Sequence, residues 1–233
     1  QSYHSTRLPV DPPMMAYVYA ADRKSERAEA HLGDFAGILQ VDGYGGYTAL
    51  AKRQQQITLA FCWSHVRRKF FDLADKSPVA TEVLQRIAGL YAVESEVRGT
   101  DADHRRAVRN EHARVIVADL HYYLEARLRQ VSTKSKLAEA IRYALSRWDG
   151  LTVFLDDGRV ELDTNTVERS IRPLALNRKN ALFAGSDEGG DNWAVIATLI
   201  ENCKIAGINP HTWLTETLTK LAHGHPANGV GDL

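Results

Sequence analysis

The sequence predicts an α/β protein: a mixed sheet flanked by helices, interrupted by a large all-helical block and closed by a helical C-terminal region. Three observations lead there. Short β-like runs alternate with helical stretches early in the chain, a spacing that implies at least some parallel pairing. From about Val66, some ninety residues carry helical periodicity with almost no strand signal. Glycine and acidic punctuation then returns the chain to a mixed region, and two amphipathic helices follow.

Taken in order, QSYHSTRLPVDPP has no periodicity and three prolines, and reads as a loop entering a domain. MMAYVYA, Met14 to Ala20, is a β-like run, and RAEAHLGDF is helical in composition and closes near Gly33. GILQV, Gly37 to Val41, is a second strand, GYTALAK a short helix after a glycine turn, and ITLAFC, Ile57 to Cys62, a third strand. In the helical block Val79, Val83, Ile87, Leu90, Tyr91 and Val97 fall at helical intervals, and Leu137, Ile141, Leu145 and Trp148 repeat the pattern. Between them, His104 to Val131 reads as one long helix or two. DTNTVERSIRPLAL starts a helix capped by Asn165 or Thr164 and stops near Pro173. ALFAG, residues 181–185, is strand-like, whereas WAVIATLIENCKIAG and PHTWLTETLTKLA are helices, the second with Pro210 in its first turn. HGHPANGVGDL reads as an unpatterned tail, in which the His223 and His225 pair is more simply solvated than metal-bound.

Bulk properties narrow the function. The 233 residues are 44% hydrophobic and 25% charged, as expected of globular material in one large domain or two small ones. The 29 basic and 29 acidic residues cancel, so binding to nucleic acid would have to use local patches, not a global field. Cys62 and Cys203 stand far apart without a second pair at zinc spacing, which suits a reducing cytoplasm and no disulfide framework. No stretch is long and apolar enough for a membrane span, and none reads as a signal peptide.

Two carboxylates carry the chemical signal. In LQVDGYGGY a strand ends on Asp42, at the C-terminal edge where open α/β sheets place ligands. Glu168 follows the helical block, on a helix. Acids from separate elements can meet in space and hold Mg²⁺, which prefers hard oxygen ligands, and such ions support in-line attack on a phosphodiester. Structural readings stand beside this one. Asp and Gly form ordinary turns, Asn165-x-x-Glu168 fits a capping box, and Glu168 with Arg172 fits an i, i+4 pair. Basic residues lie near both acids: His65, Arg67, Arg68 and Lys69 in HVRRKFF, and Arg169, Arg172, Arg178 and Lys179 in ERSIRPLALNRKN. They suit a phosphate backbone, or equally solvated helix faces.

Four blocks in one order resemble the insertion sequence 66 family of bacterial transposases: PPMMAYVYAADRKSERAEAHL, LQVDGYGGYTAL, CWSHVRRKFFDL and VELDTNTVERSIRPLALNRKNALFAGSDEGGDNWA. The likeness runs from about Asp11 to the tail. It implies a DDE-type transposase with an RNase H-like catalytic domain, in which three acids hold two Mg²⁺ or Mn²⁺ ions that cut and join DNA. Asp42 matches the second acid and Glu168 the third, and the 125 residues between them hold the helical insertion. Cys62-Trp63-Ser64-His65 matches a C-x-x-H signature of several DDE families, with half of a zinc site as the competing reading. His65 and Arg68 are thereby candidates for contacts to DNA or to the acids.

The resemblance also implies an organisation and a set of partners. Residues 1–76 are expected to form the first part of the catalytic core, 77–150 the helical insertion, 151–188 the rest of the core with the Glu168 helix, and 189–233 the helical C-terminal region and tail. The family's first acid lies on a strand upstream of the PPMMAYVYA block, so the chain is expected to be an N-terminally truncated piece, inactive or nearly so alone. Partners are expected to be DNA at the element ends and target, further copies of the chain on that DNA and accessory transposition proteins, with no membrane. The location would be the bacterial cytoplasm, at the nucleoid. The main rival differs in class, a non-catalytic DNA-binding or assembly remnant of a decayed element; the others are an RNase H-like metal-dependent nuclease of the same fold that does not transpose, and a helical scaffold with incidental acids.

Overall fold

A computed structural model describes residues 13–22, 24–180, 185–226 and 229. Contacts divide the chain into two units, Asp22–Arg172 and, separately, Asp11–Ala21 with Pro173–Leu233. Helix dominates both.

The first unit opens with α1 (Ser25–Leu32), β1 (Gly37–Val41), α2 (Gly45–Arg53) and β2 (Ile57–Phe61). The strands pair in parallel, from Gly37 opposite Ile57 to Val41 opposite Phe61, which requires a crossover; α2 supplies it. Period-two alternation sends successive side chains to opposite faces. Leu39 and Val41 therefore join Ala28, Leu32, Tyr47, Leu50 and Ile57 in a small core beneath α1 and α2. Ala60, with the half-buried Ile38, meets a larger core on the other side.

That larger core belongs to the helical block: α3 (Trp63–Phe71), a 3₁₀ turn (Ala74–Lys76), α4 (Pro78–Val97), α5 (Ala102–Val108), a π turn (Arg109–Ala113), α6 (Arg114–Leu128), α7 (Lys136–Leu145) and α8 (Trp148–Asp156). Serine or aspartate side chains cap three of these helices: Ser77 accepts from the Ala80 N–H, Asp101 from His104 and Ser135 from Ala138. The stretch from His104 to Val131 is neither one regular helix nor two. It is a helical run whose π turn swings Arg109 into the core, fully buried. Fully buried Trp63 anchors α3: its indole donates to the Leu151 carbonyl at 2.8 Å and its ring meets Trp148 edge-on at 5.7 Å.

The last elements are α9 (Asn165–Asn180), α10 (Asp187–Ile205) and α11 (Pro210–Ala222). Three expectations need correction. The mixed sheet is, among the described residues, a pair of parallel strands. Met14 to Ala20 is in no ladder among the described residues; side chains of α10 take its backbone groups, Asn202 bonding both the N–H and the carbonyl of Met15 and Thr198 accepting from the Tyr17 N–H. β composition favours an extended conformation, whereas a strand needs a partner edge. Third, α9 continues through Pro173 instead of stopping there, because proline removes one helical hydrogen bond without abolishing those around it. The strand-like stretch at 181–184 lies outside the described residues. No helix among the described residues is long and apolar enough to cross a membrane.

Candidate metal and DNA site

Asp42 follows β1 directly and is exposed. Its Oδ1 accepts the Tyr44 N–H at 2.9 Å, so the carboxylate stabilises the turn that the glycines make. Gly43 has φ +94°, and a Cβ there would stand 3.1 Å from the Tyr143 hydroxyl and 3.3 Å from Arg147 Nε. Glycine is thus required twice over, by the left-handed backbone and by α7 and its C-terminal end lying against the turn. The Asp42 turn and the end of the helical block are neighbours.

Glu168 reaches the same region through residues 161–164, which run along the ends of both strands. Gln40 donates to the Glu161 carbonyl at 2.6 Å, the Trp63 N–H to the Leu162 carbonyl at 3.1 Å, and the Thr164 N–H to Cys62 Sγ at 3.3 Å. The start of α9 is built locally: the Asp163 carboxylate accepts from the Asn165 N–H, and the Thr164 carbonyl from the Glu168 N–H. Glu168 Oε1 then contacts the Thr164 hydroxyl at 3.2 Å and His65 Nε2 at 3.6 Å, with half of its side chain exposed. The expected capping box around Asn165 is replaced by this Asp163 and Thr164 arrangement. The ion partner of Glu168 is His65 in place of Arg172.

His65 is the meeting point. It stands on the first turn of α3, three residues after Cys62, so helical spacing puts thiol and imidazole on one side. One ligand atom from each of Cys62, His65 and Glu168 lies within 4.8 Å of the others. Cys62 Sγ also lies 3.0 Å from the Ser64 hydroxyl. His65 Nδ1 is enclosed and has no hydrogen-bond partner. Thiol and ring nevertheless shift one another. Burial pushes the Cys62 thiol up, but His65, Ser64 and Thr164 outweigh it and hold its pKa below the ordinary value. The His65 pKa is raised, chiefly by Cys62 against the opposing effect of burial, then by the charges of Glu168 and Asp42. Both acids are electrostatic neighbours of one imidazole.

The basic residues fall into groups. Arg67, Arg68 and Lys69 are exposed on α3, Arg67 over the Phe71 ring and Lys69 over that of Tyr143. Arg169 and Arg172 are exposed on α9. The side chains of Arg178 and Lys179 lie outside the described residues. His223 and His225 each engage a backbone carbonyl, that of Thr219 and that of Gly229. Sequence reasoning missed Asp163, the contacts of Thr164 to Cys62 and Glu168, and Tyr143 and Arg147. The first two could have been suspected, because DTNTVE sets polar residues immediately before Glu168; nothing in the sequence joins the others to Asp42.

The chain matches the family described as Transposase IS66 family over residues 2–192 and the IS66 C-terminal element over 198–233. It is 49% identical over 227 residues to the uncharacterized protein y4qI of Sinorhizobium fredii, covering 94% of this chain and 42% of that protein. Two further uncharacterized proteins of the same organism are y4jD, 40% identical over 91% of this chain and 43% of its own length, and y4hP, 38% identical over 95% and 43%. The chain thus spans less than half the length of these curated relatives. No solved structure matches it.

Proposed function

Because the chain belongs to the IS66 transposase family, we propose that it contributes the larger part of an RNase H-like catalytic domain that cleaves DNA and transfers strands with divalent metal ions. The observation that carries this reading is the convergence on His65 of Glu168, at 3.6 Å, and of the field of Asp42, although the two acids are far apart in sequence. DNA is the partner that the family implies.

The donor chemistry fits the implied ions. Asp42 and Glu168 are exposed residues whose carboxylate oxygens are the hard donors that Mg²⁺ and Mn²⁺ favour, and such ions take one or two protein carboxylates alongside phosphate and water. When bound, a metal pair would polarise the scissile phosphate and lower the pKa of the attacking hydroxyl or water. The residues of the chain do the rest. Asp42 and Glu168 hold the ions, His65 orients the Glu168 carboxylate, and exposed Arg67, Arg68, Lys69, Arg169 and Arg172 offer charge to the DNA backbone. Action as several copies on paired DNA ends, with accessory proteins and at the nucleoid, belongs to the same proposal.

The test has two arms. Calorimetry with Mn²⁺ on this chain and on Asp42→Asn and Glu168→Gln should show weakened binding in both variants. In a chain extended to the length of its relatives, the same changes should abolish cleavage and strand transfer of element-end DNA, and nicks without strand transfer would favour the nuclease reading. Variants that transpose like the parent would overturn the proposal.

A further inference from the structure

We propose that Cys62, His65 and Glu168 together form a binding site for a thiophilic divalent cation of the zinc class. The set differs in kind from the Asp42 and Glu168 pair: it offers a thiolate, an imidazole and a carboxylate, the mixed soft and borderline donors that zinc takes and that Mg²⁺ and Mn²⁺ do not select. Zinc bonds to such ligands are about 2.0–2.3 Å long, so donors sharing one tetrahedral ion stand roughly 3.5 Å apart. His65 Nε2 and Glu168 Oε1 are already at 3.6 Å, and all three donors lie within 4.8 Å, so small rotamer movements close the site.

Three features prepare it. Thr164 N–H and the Ser64 hydroxyl sit on Cys62 Sγ, at 3.3 and 3.0 Å, and stabilise a thiolate without occupying its remaining lone pairs. His65, held on the first turn of α3, presents its Nε2 to Glu168 Oε1 at 3.6 Å, so two of the donors already face one another. Glu168 lies at the open side, leaving the fourth position to water, as in zinc sites with three protein ligands. The sequence alone showed half of this site, a C-x-x-H; the third ligand arrives from α9, 103 positions beyond His65 (168 minus 65). The site stands on this geometry and does not depend on the catalytic reading. Where that reading holds, occupancy would withdraw Glu168 from the Mg²⁺ pair, and zinc would inhibit.

Cobalt is the probe, because Co²⁺ in a tetrahedral site with a thiolate ligand gives a sulfur-to-metal charge-transfer band and intense visible absorption. Titration of this chain with Co²⁺ should produce both at one equivalent, and Zn²⁺ should displace the cobalt. Cys62→Ser should lose the charge-transfer band, while Cys203→Ser should keep it. His65→Gln and Glu168→Gln, whose side chains are partly exposed and which should fold even if Cys62→Ser does not, should each weaken binding by more than about tenfold, the lower end of the cost of losing only an outer-shell partner. Absence of the charge-transfer band, its persistence in Cys62→Ser, or parental affinity in both other variants would overturn the proposal. Loss of the cobalt spectrum with Mn²⁺-dependent activity intact would overturn this site alone and leave the catalytic reading standing.

Discussion

Two ionic clusters lie in the same unit, and they are finished to different degrees. In the helical block, Arg109 donates to both oxygens of Glu94 at 2.8–2.9 Å and to the carbonyls of Phe154 and Val160 at 3.0 and 2.9 Å. Arg105 adds a bond to Glu94 at 2.6 Å and a two-pronged pair with Glu161 at 3.0 Å. Glu94 and Arg109 are almost wholly out of water. Around His65 the reverse holds: Asp42 and Glu168 are exposed. A cluster whose buried carboxylate is paired with guanidinium groups inside the protein is structural, whereas one whose carboxylates are exposed has capacity for something outside the protein. They are nevertheless joined. Arg109 and Arg105 hold residues 154–161, and that segment leads into the strand-end contacts which deliver Glu168. The helical block therefore positions the site, as well as covering one face of the sheet.

The largest effect is expected at Arg109. Arg109→Ala leaves buried Glu94 with Arg105 as its remaining cation and takes the guanidinium from the Phe154 and Val160 carbonyls, and urea unfolding should show a loss of about 3–5 kcal/mol. A loss below about 1 kcal/mol would mean that the clamp is not structural. At the boundary between the clusters, Gly43→Ala forces a side chain into a left-handed backbone against Tyr143 and Arg147, and should cost about 1–3 kcal/mol by the same measurement. Asp42→Asn and Glu168→Gln should shift stability by no more than about 0.5 kcal/mol, as is usual for exposed positions, while weakening Mn²⁺ binding. Equal destabilisation at both clusters would remove the distinction.

The smallest effect concerns pH. In metal-free protein His65 should titrate above its ordinary 6.5, as followed by imidazole NMR, and Cys62→Ser should bring it down because Cys62 is the main cause. Its folded pKa is raised, so the stability it contributes is present below 6.5 and is lost as pH rises through the folded value. An unshifted titration would show that thiol and ring are not coupled.

The sequence made much of this visible. Gly37–Val41 and Ile57–Phe61 were legible from short apolar runs bounded by turn residues, and the helical block from sustained periodicity. Asp42 stood out because a strand ended on a carboxylate followed by glycines. Less legible were features that depend on a partner. Met14 to Ala20 has strand composition, yet its hydrogen bonds go to Asn202 and Thr198, and no local pattern announces that. Arg109 looks like an ordinary charged helical residue until the π turn directs it inward.

Local chemistry in the sequence determined the element types, the alternation of strand and helix, the glycine turn after Asp42, and a family likeness that the family matches bear out. These depend on neighbours within one or two turns of chain, which the sequence displays directly. Tertiary structure alone decided that Glu168 meets Cys62 and His65, that Tyr143 and Arg147 pack on the Asp42 turn, and that an internal ion clamp holds the connecting segment. Those contacts join residues brought together only when the helical block packs on the sheet, so they depend on the three-dimensional path of the chain and leave no periodic trace along it.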